Sequence, residues 1–240
     1  MMTDQHTDLY KPELGRYCDH TVLKAFTTRE TVRAFCAEAI RYGAASVCVN
    51  PVHVAYVRQL LAGTPVRVCS VIGFPLGATT PAVKAFEAAE AVRSGADELD
   101  MVINVGALRD GNSDLVYEDI LGVVRAAAGK TVKVILETCY LSDPEKEEAC
   151  RLALKAGADF VKTSTGFGTR GASVEDIRLM KRIVGDRMKI KASTGINTQE
   201  DALRMIAAGA VRLGLSKTVQ VVEGDSSLES ATTLTQTPVG

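Results

Sequence analysis

The clearest structural signal in this chain is the run Gly157-Ala158-Asp159-Phe160-Val161-Lys162-Thr163-Ser164-Thr165-Gly166. A glycine in the first position fits the left-handed conformation that ends a helix. The apolar residues after it predict a short buried strand that leads into a polar, Gly-containing loop. The strand ends in Lys162, although an unpaired ammonium group is costly to bury. A second predicted strand carries Lys191 at the same point, in Met188-Lys189-Ile190-Lys191-Ala192-Ser193.

The Gly-Ala pair that opens this run recurs along the chain. It occurs at Gly43, Gly95, Gly157 and Gly209, at intervals of 52, 62 and 52 residues. Each interval holds two strand–helix units, so the sequence predicts eight units and a single-domain α/β fold, the (β/α)8 or TIM barrel. A doubly wound open sheet is the alternative, but no GxGxxG motif follows the first strand. The predicted strands are Tyr17–Leu23, Ser46–Val49, Arg67–Ile72, Glu98–Asn104, Val132–Glu137, Phe160–Thr163, Lys189–Ala192 and Val211–Leu213.

The barrel is expected to occupy residues 1–222, including a short N-terminal extension. Residues 223–240 are polar and rich in Ser and Thr, and they are expected to form a mobile tail.

Composition excludes several classes of function. The 240-residue chain has a net charge of -1, which gives no reason to expect nucleic acid or an acidic membrane surface as a partner. It contains no apolar run long enough to cross a bilayer, and its polar N-terminus lacks a signal-peptide core. The six cysteines form no CxxC pair, and the three histidines show no zinc-like spacing. We therefore expect a cytoplasmic protein with no metal.

The two strand-end lysines predict a reactive site. Active sites of TIM barrels lie at the carboxyl ends of the strands, and strands six and seven are neighbours, so Lys162 and Lys191 should meet there. Like charge and burial both lower the pKa of a lysine, and a neutral amine is a nucleophile toward carbonyls. Alternatively, each lysine is an ordinary surface residue at a strand end.

Carboxylates are expected at the same end of the barrel. Strand alternation turns Asp100 inward, where it is either a proton relay that works with Lys191 or only its buried ionic partner. Asp19, in the first strand, is either a site residue or a strand-end carboxylate. Cys48 lies mid-strand and suits an inert core thiol. Glu137 ends strand five, and its direction stays open.

Three loops are candidates for phosphate binding, because late barrel loops often bind phosphate through backbone N–H groups. Arg170 and Lys217 would add positive charge, and a short helix near Lys217 would add N–H donors. The loops are 166–171, 193–195 and 214–217.

Several segments between residues 17 and 222 resemble the deoxyribose-phosphate aldolase family, and they occur in the same order as in that family. The most specific is the block Lys162-Thr163-Ser164-Thr165-Gly166-Phe167. The other segments that carry the resemblance are Asp19–Thr21, Val47–Pro51, Val71–Gly77, Glu98–Gly106, Val134–Thr138 and Ile190–Ser193.

The resemblance implies a class I aldolase, a lyase that cleaves 2-deoxy-D-ribose 5-phosphate to D-glyceraldehyde 3-phosphate and acetaldehyde without a cofactor. It implies Lys162 as the Schiff-base lysine, Lys191 as the neighbour that activates it, and Asp100 as the proton relay. The substrate-binding residues expected from it and from the loops are Asp19, Cys48, Thr163, Gly166, Gly195, Gly214, Ser216 and Lys217.

The chain departs from the family pattern in the phosphate loops. Thr194 replaces a glycine, Arg170 interrupts a Gly-Thr-Gly-Gly sequence, and Lys217 stands where the family has a small residue. Two alternatives therefore stay open: a related lysine-dependent aldolase with a different or non-phosphorylated substrate, and a catalytically silent barrel that binds a sugar phosphate. A homo-oligomer is also left open.

Overall fold

Eight parallel strands close into a barrel in the order of the sequence, which confirms the predicted TIM barrel and rules out the open sheet. The computed structural model describes residues 11–224, so the predicted tail lies outside the described residues apart from its first two positions. The strands are β1 Cys18–Val22, β2 Ser46–Val49, β3 Arg67–Ile72, β4 Glu98–Val102, β5 Thr131–Ile135, β6 Phe160–Lys162, β7 Lys189–Ser193 and β8 Arg212–Leu215.

Helices surround the strands. They are α1 Lys11–Leu14, α2 Arg29–Arg41, α3 Val54–Leu60, α4 Pro81–Arg93, α5 Val105–Arg109, α6 Ser113–Ala126, α7 Asp143–Lys155, α8 Val174–Val184, α9 Gln199–Ala207 and α10 Thr218–Glu223. Short 3-10 turns lie at Gly15–Tyr17, Pro51–His53 and Thr138–Tyr140. Within residues 11–224, none of these helices has the length and apolar character needed to span a membrane.

The Gly-Ala pairs lie where the repeat predicts, before the even-numbered strands. After α2, Gly43 adopts a left-handed φ of 62°, and the N–H of Ala44 donates to the carbonyl of Ala39 at 2.9 Å. This bond satisfies a carbonyl that the end of the helix would otherwise leave free. The same bond recurs at Ala96, Ala158 and Ala210, so the same C-terminal cap ends the helix before each of the four even-numbered strands.

The two faces of the strands differ in polarity. Residues such as Val47, Leu99 and Val134 are fully buried in the apolar core. The alternate residues point into the barrel, and many of them are charged. The charged residues on this inner face that are at least nine-tenths buried are Asp19, Glu98, Asp100, Lys133, Lys162, Lys191 and Arg212.

Strand ends differ from the prediction at two places that matter for the site. β4 ends at Val102, because the side chain of Asn104 accepts the Ala107 N–H at 3.0 Å and begins α5. β8 continues to Leu215, so Gly214 lies within the strand and not in the loop after it. A Cβ on Gly214 would come within 2.3 Å of Ser193 Oγ and 3.1 Å of Lys191 Cε, so glycine leaves room for those side chains.

Candidate active site

Lys162 and Lys191 lie side by side inside the barrel. Their Cα atoms are paired in the β6–β7 register, and their side chains are 3% and 0% exposed. Both ammonium groups donate to the same atom, Asp100 Oδ2, at 2.7 Å each. The predicted meeting of the two lysines and the inward direction of Asp100 are therefore both present, and Oδ2 connects the two amines directly.

A third lysine completes the shell around Asp100. Lys133 on β5 donates to Asp100 Oδ1 at 2.7 Å, and its side chain is fully buried. Cys69 Sγ reaches the same oxygen at 3.2 Å. Burial alone would raise the pKa of Asp100, but Lys133, Lys162 and Lys191 outweigh it and hold the pKa well below its usual range. Asp100 is therefore a carboxylate at neutral pH.

Below this group, a second set of charges fills the barrel. Asp19 Oδ2 lies 2.5 Å from Lys191 Nζ, and Asp19 Oδ1 accepts from Arg212 and from Ser46 at 2.6 Å. Glu98 accepts from Lys133 at 2.6 Å and from Arg212 at 3.0 Å. The interior thus joins three carboxylates to four cations, and one ammonium can lose its proton without leaving a carboxylate unpaired.

The charge state of Lys191 differs from the prediction. Adjacent lysines were expected to lower each other's proton affinity. Burial does act to lower the pKa of Lys191, but Asp100 and Asp19 outweigh it and raise the pKa above its ordinary value. Lys191 therefore stays an ammonium at neutral pH, as a fixed positive charge beside Lys162.

One group in the described residues has the spacing of a metal site. The Sγ atoms of Cys48 and Cys69 and a carboxylate oxygen of Asp100 lie within 4.8 Å of one another. Asp100 is already held by three ammonium groups, and a metal ion in this position would be repelled by all three. The donor set does not suit a metal.

A cavity of about 230 Å³ opens above Lys162 at the carboxyl ends of the strands. Five of the predicted substrate-binding residues line it, namely Gly166, Gly195, Gly214, Ser216 and Lys217. Ser193 also lines it. The residue is 4% exposed, and its hydroxyl oxygen has no hydrogen-bond partner among the described residues.

Three predicted binding residues do not line the cavity. Asp19 and Cys48 are fully buried beneath it, and Asp19 is used in holding Lys191 and Arg212. The hydroxyl of Thr163 accepts the Ser193 N–H at 3.1 Å and donates to the Ser193 carbonyl at 3.3 Å. Thr163 therefore ties the ends of β6 and β7 together, which holds the two lysine strands in register.

Arg170 does not supply the charge expected of it. Its guanidinium donates to Asp176 at 2.5 Å and to the carbonyls of Gly171 and Thr138. These bonds hold the Arg170 side chain at the N-terminal turn of α8, so it does not line the cavity. The positive charges that line the cavity are Lys162, Lys217 and Lys24, the last of which the sequence did not single out.

Glu137 holds the loop after β6. It is 3% exposed and adopts a left-handed φ of 55°. Its carboxylate accepts from both the N–H and the hydroxyl of Thr165, and the Thr165 hydroxyl accepts the Phe167 N–H at 3.0 Å. This settles the direction that the sequence left open, since Glu137 faces the loop that forms one wall of the cavity.

The site has the groups needed for imine chemistry. A buried lysine lies at the floor of the cavity and is hydrogen-bonded to a carboxylate, which also binds a second lysine. Together with the barrel, this site defines a lysine-dependent TIM-barrel enzyme.

Comparison with known proteins then gives the family. Residues 16–217 match the model of the DeoC/LacD family aldolases. The chain is 55% identical over 213 residues to the deoxyribose-phosphate aldolase of Aciduliprofundum boonei, covering 88% of this chain and 96% of that protein. It is 56% identical over 214 residues to the deoxyribose-phosphate aldolase of Macrococcus caseolyticus, with 89% and 97% covered. The chain belongs to the DeoC/LacD aldolase family.

A solved structure supports the same assignment. The deoxyribose phosphate aldolase of Aeropyrum pernix, described as a tetramer, aligns with a TM-score of 0.84 and 35% identity. The alignment covers 92% of this chain and 93% of that one.

Proposed function

We propose that this protein is a deoxyribose-phosphate aldolase, which reversibly cleaves 2-deoxy-D-ribose 5-phosphate to D-glyceraldehyde 3-phosphate and acetaldehyde. The observation that carries the proposal is the shared hydrogen bond at Asp100 Oδ2, which joins a cavity-floor lysine to a second ammonium group. The identity to proteins of that name, over 96% and 97% of their length, supports it.

Lys162 is the nucleophile in this proposal. Its neutral amine adds to the C1 aldehyde of the open-chain sugar, and loss of water gives an iminium ion. The iminium withdraws electrons, so the C2–C3 bond breaks as the C3 hydroxyl loses its proton. This step releases D-glyceraldehyde 3-phosphate and leaves an enamine on Lys162. Protonation of the enamine at C2 and hydrolysis then release acetaldehyde and restore the amine.

Asp100 moves protons in this scheme, and Lys191 supplies a fixed positive charge. Oδ2 of Asp100 lies within hydrogen-bond distance of both lysines, so it can take a proton from the reacting nitrogen of Lys162 and return it there while Lys191 stays charged beside it. Lys191 keeps its charge beside the reacting nitrogen because Asp19 and Asp100 raise its pKa. Lys133 holds the other oxygen of Asp100 and thereby fixes the orientation of the carboxylate.

The 5-phosphate is proposed to bind at the outer part of the cavity. Gly166, Gly195 and Gly214 line the cavity without adding side-chain bulk, and Ser216 and Lys217 add a hydroxyl and a positive charge. Thr194 also lines the cavity and adds a side chain to this cradle. A preference for a non-phosphorylated aldehyde is the alternative that this residue favours.

The test is a direct assay of cleavage. Purified protein incubated with 2-deoxy-D-ribose 5-phosphate should release acetaldehyde and glyceraldehyde 3-phosphate in equal amounts, measured with coupled dehydrogenases. Lys162→Arg should be inactive yet folded, because arginine stays charged and forms no imine. Turnover of 2-deoxy-D-ribose equal to that of its phosphate would favour the alternative substrate, and binding without turnover would indicate a silent barrel.

We also propose that the protein is cytoplasmic. All six cysteines are free thiols, which suits the reducing cytoplasm. The tetramer described for the Aeropyrum pernix relative makes a homo-oligomer a reasonable state to test by light scattering.

A further inference from the structure

We propose that Lys24 is a specificity-determining residue for the phosphate group, held over the cavity by Phe167. This inference rests on the proposed function and adds a residue that neither the sequence motifs nor the family resemblance indicated. It starts from the charges of the cavity lining. Among the residues that the structure describes, three lysines line the cavity and no aspartate or glutamate does.

The three lysines stand at different depths. Lys162 is buried at the floor, whereas Lys24 and Lys217 are exposed at the rim. A substrate bound covalently to Lys162 through its aldehyde must therefore extend its far end toward the two rim lysines. A phosphate there carries nearly two negative charges at neutral pH, and two cations on the rim match it. Among the described residues, Lys24 has no carboxylate within salt-bridge distance, so its charge is free for a ligand.

Aromatic contacts hold the Lys24 side chain in place. Its Nζ lies 5.4 Å from the centre of the Phe167 ring, within the range of a cation–π interaction. Phe167 in turn packs edge-on against Phe74, with ring centres 5.4 Å apart and planes at 90°. The side chain is thus supported although it is exposed to solvent.

The backbone on both sides of this contact is also fixed. The carbonyl of Lys24 accepts from the N–H and the hydroxyl of Thr27, at 3.0 and 2.7 Å. On the other side, the Phe167 N–H donates to Thr165 Oγ1, and Glu137 holds Thr165. A chain of contacts therefore leads from a buried carboxylate below the loop to the ammonium group at the rim. Arg170, the cation predicted for this role, is bound to Asp176 instead.

The test compares two substrates in one variant. Lys24→Met removes the charge and keeps an unbranched side chain that can pack on Phe167. We expect kcat/KM for 2-deoxy-D-ribose 5-phosphate to fall about tenfold or more, as for loss of a charge-assisted contact. The value for 2-deoxy-D-ribose should stay within about twofold of wild type, since that sugar carries no charge for Lys24 to meet.

A matched control exists at the other end of the barrel. Lys189 is also exposed and also lies over a phenylalanine ring, with Nζ 5.6 Å from the centre of Phe160. Lys189→Met should leave the ratio of the two kcat/KM values unchanged. Phe167→Leu should lower the same ratio by a smaller factor than Lys24→Met. The double variant Lys24→Met/Phe167→Leu should lose no more than Lys24→Met alone, because the ring acts through the lysine.

The outcomes separate the two proposals. Wild-type protein inert toward both sugars would overturn the proposed function. Wild-type protein that prefers the phosphate, with an unchanged preference in Lys24→Met, would overturn only the role of Lys24. An equal loss for both sugars in Lys24→Met would also overturn it, since the lysine would then act on folding or on the cavity in general.

Discussion

Replacing Asp100 with asparagine separates proton transfer from structural support at the centre of the site. The carboxylate holds Lys162 and Lys191 on Oδ2 and Lys133 on Oδ1, all at 2.7 Å. An asparagine of the same shape keeps one oxygen as an acceptor and turns an NH2 donor toward the other ammonium groups. The variant also removes one of three carboxylates that balance four buried cations.

Both consequences have an expected size. Removing one partner of a buried ion pair costs about 3–5 kcal/mol. For a chain of this length each kcal/mol lowers the melting temperature by about 2–4 °C, so we expect a decrease of roughly 6–20 °C. If Asp100 carries protons to and from the reacting nitrogen of Lys162, turnover should also fall by about 10²- to 10⁴-fold. Calorimetry and the coupled cleavage assay on the same preparation measure both effects.

A second buried ion pair supplies the control. Asp119 on α6 pairs with Lys84 on α4, outside the barrel interior, and the two side chains are 1% and 0% exposed. Asp119→Asn should lose a comparable amount of stability and keep its turnover. If Asp100→Asn loses stability and retains wild-type turnover at a temperature where it is folded, the carboxylate is a structural partner and the relay is wrong.

Three further variants probe other parts of the structure. Lys191→Leu should lower turnover by about 10²-fold, because Asp100 loses its second amine; a coupled assay with near-normal turnover would contradict this. Thr194 has a left-handed φ of 71°, and such strain costs about 1–3 kcal/mol, part of which glycine recovers. Urea unfolding of Thr194→Gly should therefore show a stability gain of roughly 1 kcal/mol, with a lower KM for the phosphorylated sugar; a loss of stability would show that the threonine side chain is needed. Burial lowers the pKa of His20 from 6.5, against the opposing effect of Glu38, so protonation favours the unfolded chain. His20 then contributes stability that is present above about pH 6.5 and is lost as the pH falls. In urea unfolding, the stability of His20→Gln should change less between pH 7.5 and 5 than that of wild type. An equal change of stability with pH in the two proteins would refute this.

The barrel was predictable because its signals are local. Each Gly-Ala pair ends a helix through bonds within six residues, as at Ala39 to Ala44, and a short segment with the pattern of a strand follows each pair. Lys162, Lys191 and Asp100 could be placed together for a related reason. Parallel strands of a barrel all end at the same face, so strand position alone brings their terminal residues close.

The cavity wall was less predictable because it depends on side-chain partners far apart in the sequence. Nothing near Arg170 in the sequence distinguishes a phosphate ligand from the partner of Asp176. The sequence predicts that Thr163 binds substrate, because only the structure shows its hydrogen bonds to Ser193. Lys133 had a usable signal, since a lysine between Val132 and Val134 in a buried strand needs a carboxylate partner. Lys24 had none, because the contact that positions it joins loops after the first and sixth strands.

Trapping the imine tests the central claim most directly. The protein is incubated with acetaldehyde and sodium borohydride, digested, and mapped by mass spectrometry. We predict a single reduced adduct, an N-ethyl group on Lys162, with loss of turnover in proportion to its formation. Lys162→Arg should yield no adduct at the cavity, whereas Lys189→Met should be labelled like wild type. A stoichiometric adduct on Lys191 or Lys133 with Lys162 unmodified, or full activity after complete labelling of Lys162, would contradict the assignment.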